Sequence, residues 1–151
     1  MDERKKAKHR ALYLLERMDR TEQELRRKLE ENYSEEVVEE AVEYVKSYHY
    51  IDDLRYAKNY ISCKSTGKSR RQIEQELLLK KGISREILRQ AYEESEVPDE
   101  RLLIRHWMEK KKIDPQTADR GELQRFYRFL CRRGFRTEDI RRALELSAED
   151  S

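Results

Sequence analysis

Apolar side chains recur at helical spacing along the chain and nowhere alternate at period two for the length of a strand. Ala7, Ala11, Leu15 and Met18 mark a first helix from about Lys6 to Arg17, Leu25 and Leu29 anchor a second, and Val37, Ala41, Val45 and Tyr48 mark a third. The series restarts at Asp52, with Ala57 and Ile61 inward, then Ile73 and Leu77, then Ile87 and Ala91. Pro98 breaks it again. Leu103, Trp107 and Met108 follow, then a longer connection at Ile113-Asp114-Pro115 and two helices built on Leu123 and Ile140. The pattern predicts nine helices in three triplets, with repeats at 1–49, 50–97 and 98–151.

The punctuation between helices supports a true repeat. Thr21-x-x-Glu24-Leu25 opens a helix that ends near Asn32, and Ser34 opens the next; Ser69-x-x-Gln72-Ile73 opens one that ends at Gly82, and Ser84 follows. In the third copy Leu123, Phe126 and Leu130 lead to Gly134, and Thr137 follows. Side-chain oxygens at such positions accept the first unpaired amides of a helix. Each third helix carries an aliphatic residue three before an alanine: Val38 with Ala41, Leu88 with Ala91, Ile140 with Ala143. The fold class expected is all-α, three tandem three-helix repeats forming an elongated, curved array with a long binding surface.

Composition agrees. With 44% charged and 36% hydrophobic residues in 151, and only four Gly and two Pro, the chain resembles helices with thin cores and long solvated faces. Such modules bury their apolar faces only against their neighbours. No apolar run approaches the roughly 20 residues of a membrane span, and the charged stretch from Met1 to Arg10 has no apolar segment behind it that would make a secretory signal. Cys63 and Cys131 lack metal-type spacing, so two free thiols in a cytoplasmic protein are expected.

A net charge of +2 conceals segregation. Glu30, Glu31, Glu35, Glu36, Glu39, Glu40 and Glu43 form an acidic stretch. Lys64, Lys68, Arg70, Arg71, Lys80 and Lys81 form a basic one, and Arg120, Arg125, Arg128, Arg132, Arg133 and Arg136 another. Charge runs are commonly solvated faces, but two basic runs at equivalent places in successive repeats suggest a rim for phosphates or for an acidic protein groove. Arg70 and Lys80 lie three residues to either side of the inward pair Ile73 and Leu77, so they are expected to share one rim. The pairs Lys80-Lys81 and Arg132-Arg133 each precede a glycine, where cations also suit a helix C-terminus.

Little points to catalysis. Asp52 and Asp53 lack the converging ligands or histidine that acid–base or metal chemistry needs, and suit a helix N-cap and a first-turn acid. His9, His49 and His106 are isolated, and no nucleotide-binding loop or nucleophile elbow occurs. The expectation is no enzyme, no metal and no cofactor. Tyr44, Tyr48, Tyr50, Tyr56 and Tyr60, and Phe126, Tyr127 and Phe129, are spaced for core packing more than for base stacking.

At these residues the chain resembles the RecX family, bacterial regulators of the RecA recombinase. The resemblance rests on Tyr50-Ile51-Asp52-Asp53-x-Arg55-Tyr56-Ala57, Thr21-x-x-Glu24-Leu25-x-x-Lys28-Leu29, Gly67 through Ile73 with Glu76-Leu77 and Lys81-Gly82-Ile83, and Phe129-Leu130-x-Arg132-Arg133-Gly134-Phe135. It extends from about residue 7 to 145. It implies a monomeric crescent lodged in the helical groove of the RecA filament on single-stranded DNA, touching DNA directly or through RecA. There it would slow ATP hydrolysis and strand exchange and limit filament growth, in recombination, DNA repair and the SOS response. Two departures stand out. His49 occupies a place where the family usually has Gly, and one extra residue separates Leu77 from Gly82, rotating Lys80 and Lys81.

The residues expected to meet the filament or DNA are Lys64, Lys68, Arg70, Arg71, Lys80, Lys81, Arg128, Arg132, Arg133 and Arg136. Two other readings use the same residues differently. One is a helical protein binding DNA phosphates directly; the other is a helical-repeat scaffold whose acidic helix from Glu35 to Glu43 holds a basic partner.

Overall fold

The computed structural model describes residues 2–149, with side chains described to residue 145. Within these residues the chain is all-helical. The first triplet is α1 (Glu3–Arg17), α2 (Glu22–Glu30) and α3 (Glu35–Ser47). The second is α4 (Asp53–Lys64), α5 (Arg70–Gln75) running into a π-helical turn (Glu76–Lys80), and α6 (Arg85–Glu93). The third is α7 (Glu100–Lys111), α8 (Arg120–Arg132) and α9 (Thr137–Glu149).

Local chemistry sets these limits. Asp2, Thr21, Ser84, Asp99 and Asp119 each accept a first-turn amide, at α1, α2, α6, α7 and α8, satisfying donors that have no intrahelical partner. Thr21 and Glu24 form a complete capping box. Ser34 sits at the α3 N-cap without a side-chain bond, and α9 starts on Thr137 itself, so these two hydroxyls do not cap as the sequence pattern suggests. The inward positions of the second helices are fully packed: Leu25 and Leu29, Ile73 and Leu77, Phe126 and Leu130. So are the aliphatic and alanine pairs of the third helices. In α1 the inward residue is Leu14 rather than Leu15, and Met18 is 57% exposed because the helix ends just before it. Tyr48, expected inward, is 60% exposed where α3 stops.

The chain forms two compact units, one of residues up to Tyr60 with Glu76–Ser95, the other of Ile61–Gln75 with Glu96 onward. In the first, α1 packs on α3 and α2, and Ala7, Ala11, Leu25, Leu29, Val38 and Val42 centre the core. In the second, α7 and α8 pack on α9 around Ile104, Trp107, Phe126, Leu130, Phe135 and Ile140.

Candidate functional site

Each unit contains the same two hydrogen bonds at the start of a second helix. In the first unit, Thr21 Oγ1 donates to the Lys81 carbonyl at 2.7 Å, and the Glu22 amide donates to Asp53 Oδ1 at 2.9 Å. In the second, Ser69 Oγ donates to the Arg133 carbonyl at 3.0 Å, and the Arg70 amide donates to Glu100 Oε1 at 2.8 Å. The hydroxyl of each also accepts the amide three residues on, Glu24 or Gln72, at 3.2 Å. A buried hydroxyl thus caps its own helix and pairs a carbonyl that the end of another helix leaves open.

This assigns Asp52 and Asp53. Asp52 accepts the Arg55 amide at 3.1 Å as the cap of α4. Asp53 is the first-turn acid, and its carboxylate holds the Glu22 amide. Burial raises the Asp53 pKa against the opposing effect of that amide, and burial likewise raises Glu100 against its bond from Arg70. Among the described residues no three His, Cys, Asp or Glu side chains cluster as metal ligands.

The bonds also fix the two basic pairs. The second cation of each is engaged at the junction. Lys81 lies 3.4 Å from Glu24 Oε2; burial works against its charge, but Glu24 and Tyr56 outweigh burial and raise its pKa. The Arg133 guanidinium lies 4.3 Å from the Trp107 ring centre and 4.7 Å from that of Phe129, and donates to the Gly67 carbonyl at 3.1 Å. The first cation of each pair, Lys80 or Arg132, is exposed.

The glycines after the pairs are required by geometry. Gly82 has φ +71° and Gly134 φ +90°, the left-handed region where a Cβ is strained. A Cβ on Gly134 would also come within 2.6 Å of Ser69 Oγ and 3.2 Å of the Gln72 nitrogen. The extra residue before Gly82 is absorbed by the π-turn. Phe135 N bonds to Leu130 O across Gly134, five residues back, whereas Ile83 N bonds to Leu77 O across Gly82, six back. Leu79 in that turn is 80% exposed. The α period therefore does not hold from Arg70 to Lys80, and the two fall in different units. The shared rim expected from an unbroken helix loses its geometric basis.

The remaining candidates divide by surroundings. Arg70 pairs with Glu74 at 2.8 Å, and with Arg71 and Arg136 it borders a hollow of about 440 Å³ that also contains Glu74, Glu100 and Asp139. Arg70 and Arg71 are exposed, as is Arg136. Lys64 is exposed at the end of α4, and Lys68 is half-buried before α5. Arg128 and Arg132 border a larger groove of about 580 Å³ with Lys111 and Arg125, over Ile113, Phe126 and Phe129. The ten candidates omit Lys111 and Arg125. Their sequence signals are the run Lys110-Lys111-Lys112 and the i, i+3 step from Arg125 to Arg128.

Known proteins match this arrangement over nearly all of the chain. The first three-helix domain of RecX matches residues 7–44, the second 52–91 and the third 99–144. A regulatory protein RecX of Caldanaerobacter subterraneus subsp. tengcongensis is 39% identical over 149 residues, covering 96% of this chain and 72% of that protein. One of Actinobacillus pleuropneumoniae serotype 5b is 35% identical over 142 residues, covering 93% and 91%. A crystal structure of regulatory protein RecX superposes with TM-score 0.76 at 25% identity, covering 99% of this chain and 73% of that one. That of RecX from Lactobacillus salivarius gives 0.75 at 22% identity, covering 99% of both chains. The three matched domains correspond to the three helix triplets, and of the paired helix starts and glycine exits Thr21 falls in the first, Ser69 and Gly82 in the second and Gly134 in the third: the chain belongs to the RecX family of regulatory proteins.

Proposed function

We propose that this protein is a negative regulator of RecA. It binds in the groove of the RecA filament on single-stranded DNA and inhibits ATP hydrolysis, strand exchange and filament growth. The observation that carries this reading is family membership across all three triplets, since the curated relatives are named regulatory protein RecX. The repeats 1–49, 50–97 and 98–151 are the units that follow a periodic partner. The protein acts as a monomer in the cytoplasm, in recombination, DNA repair and the SOS response.

The exposed cations Lys80, Arg71, Arg128, Arg132 and Arg136 meet the filament or its DNA, joined by Lys64, Lys68 and Arg70. Lys81 and Arg133 act at one remove, by holding the helix ends that present them. The test is RecA ATPase on single-stranded DNA with this protein titrated in. Hydrolysis falling to a plateau supports the proposal, and hydrolysis unchanged at saturating protein overturns it.

A second reading, favoured by the concentration of cations around α8, is direct binding to DNA phosphates. It requires affinity for naked single strands with a log–log salt slope of about −0.7 per phosphate and no preference for RecA-coated DNA.

A further inference from the structure

The groove beside α8 has a composition that the basic rim alone does not explain. Lys111, Arg125, Arg128 and Arg132 surround it, all exposed, with Glu122 the one carboxylate on its border. Among the described residues none of these four cations lies within ion-pair distance of an Asp or Glu. Like charges gathered without carboxylate partners repel one another, and an anionic ligand relieves that repulsion. The floor is apolar, made of Ile113, Phe126 and Phe129.

The floor decides which anion fits. A nucleic-acid strand gains from cations, but it uses an apolar floor only by stacking bases on an open ring face. Phe126 is 2% exposed and lies 6.3 Å from Phe129 between ring centres, tilted by 15°. Phe129 is occupied as well, with Lys111 Nζ 3.9 Å and the Arg133 guanidinium 4.7 Å from its centre. Neither ring offers a free platform. A peptide with carboxylates to either side of a bulky apolar residue satisfies both parts of the groove: the carboxylates meet the cations, and the apolar side chain, which needs no open ring face, packs on the partly exposed Ile113 and Phe129.

The geometry points to a docking site for an acidic segment of a partner protein, anchored by one bulky apolar side chain. It does not require RecA to be that partner. The test uses the full chain and a fluorescein-labelled peptide of glutamates around a central leucine, read by anisotropy. The comparison ligands are the same peptide with central serine and an oligothymidylate of equal charge. The leucine peptide is expected to bind at least fivefold tighter than the serine peptide. The double variant Arg125→Glu, Arg128→Glu is expected to weaken it at least tenfold, while Arg89→Glu, an exposed residue of α6 in the other compact unit, leaves it unchanged. Both altered side chains are exposed, and circular dichroism verifies the fold. Equal binding of the two peptides would show that the floor takes no anchor, and displacement of the leucine peptide by oligothymidylate at lower concentration would make the groove a phosphate site; either result overturns the assignment. So would self-association in sedimentation velocity that the double variant abolishes, because the occupant would then be the acidic Glu35–Glu43 face of a second copy. Because RecA is absent from this experiment, its failure and the failure of the RecA proposal are separate results.

Discussion

Ser69 and Arg133, sixty-four residues apart, are joined by a hydrogen bond of 3.0 Å from the serine hydroxyl to the arginine carbonyl. The same hydroxyl accepts the Gln72 amide, and Ser69 is fully buried. Thr21 and Lys81 repeat the relationship at 2.7 Å. A residue that a sequence scan assigns to capping one helix therefore also positions the basic end of another.

Ser69→Ala should accordingly cost more than an ordinary cap. Loss of a capping side chain costs about 1 kcal/mol, and an unpaired buried carbonyl adds about 1 kcal/mol or more. Asp119 caps α8 from an exposed position with no second bond among those described, so Asp119→Ala should cost about 1 kcal/mol. Urea unfolding of the two variants compares them. Equal destabilisation would mean that the Arg133 contact contributes nothing.

His49 has φ 62°, and Tyr50 N closes the turn onto Val45 O at 2.9 Å. The helix thus exits through the left-handed region on a residue with a Cβ, at the place where the family usually has Gly. Such a backbone costs an L-residue about 1–2 kcal/mol, of which the extra chain entropy of glycine returns about 0.5–1 kcal/mol. His49→Gly should therefore stabilise the protein by up to about 1 kcal/mol, seen as a higher urea midpoint with unchanged slope. A lower midpoint would show that the exposed imidazole contributes to folding.

The π-turn gives a third prediction. Leu79 is the extra residue's exposed outlet, so deleting it should let the helix close onto Gly82 with the five-residue return seen at Gly134. The deletion variant should fold with an unfolding free energy within about 1 kcal/mol of the parent, since no packed group is lost. Collapse of the helical circular dichroism signal would show that the wider turn is required by its surroundings.

Asp53 supplies a pH signature. Burial raises its pKa, so the folded chain holds this proton more tightly than the unfolded chain does. Its contribution to stability is greatest below the ordinary carboxylate value and falls as pH rises through the raised one. Asn at this position keeps an acceptor for the Glu22 amide without the charge. Asp53→Asn should therefore gain stability relative to the parent as pH climbs through that window, and the two should converge in acid. Unfolding at a series of pH values measures the gap, and a gap independent of pH would show that Asp53 does not titrate with folding.

The helix triplets, the inward pairs and the aliphatic and alanine steps were legible because each repeats at a fixed period and ends at a cap or a glycine. Errors arose where a helix stops: Met18 and Tyr48 continue the apolar period yet lie exposed past the last turn. The role of Asp53 and Ser69 in joining distant helices left no local signal, since both partners lie 30 residues or more away. The groove was half legible. Arg128 and Arg132 stood out in a charge run, whereas Lys111 reaches it from the end of a different helix. The shared rim of Arg70 and Lys80 was argued from an unbroken α period, which the residue added between them turns into π.

The central claim concerns the partner, and binding of the labelled full chain to single-stranded DNA with and without a RecA coat tests it most directly. Saturable binding to the RecA-coated strand, at least tenfold tighter than to the bare strand or to free RecA, is the expected result. Equal or tighter binding to bare DNA, or no binding to the coated strand, would contradict it.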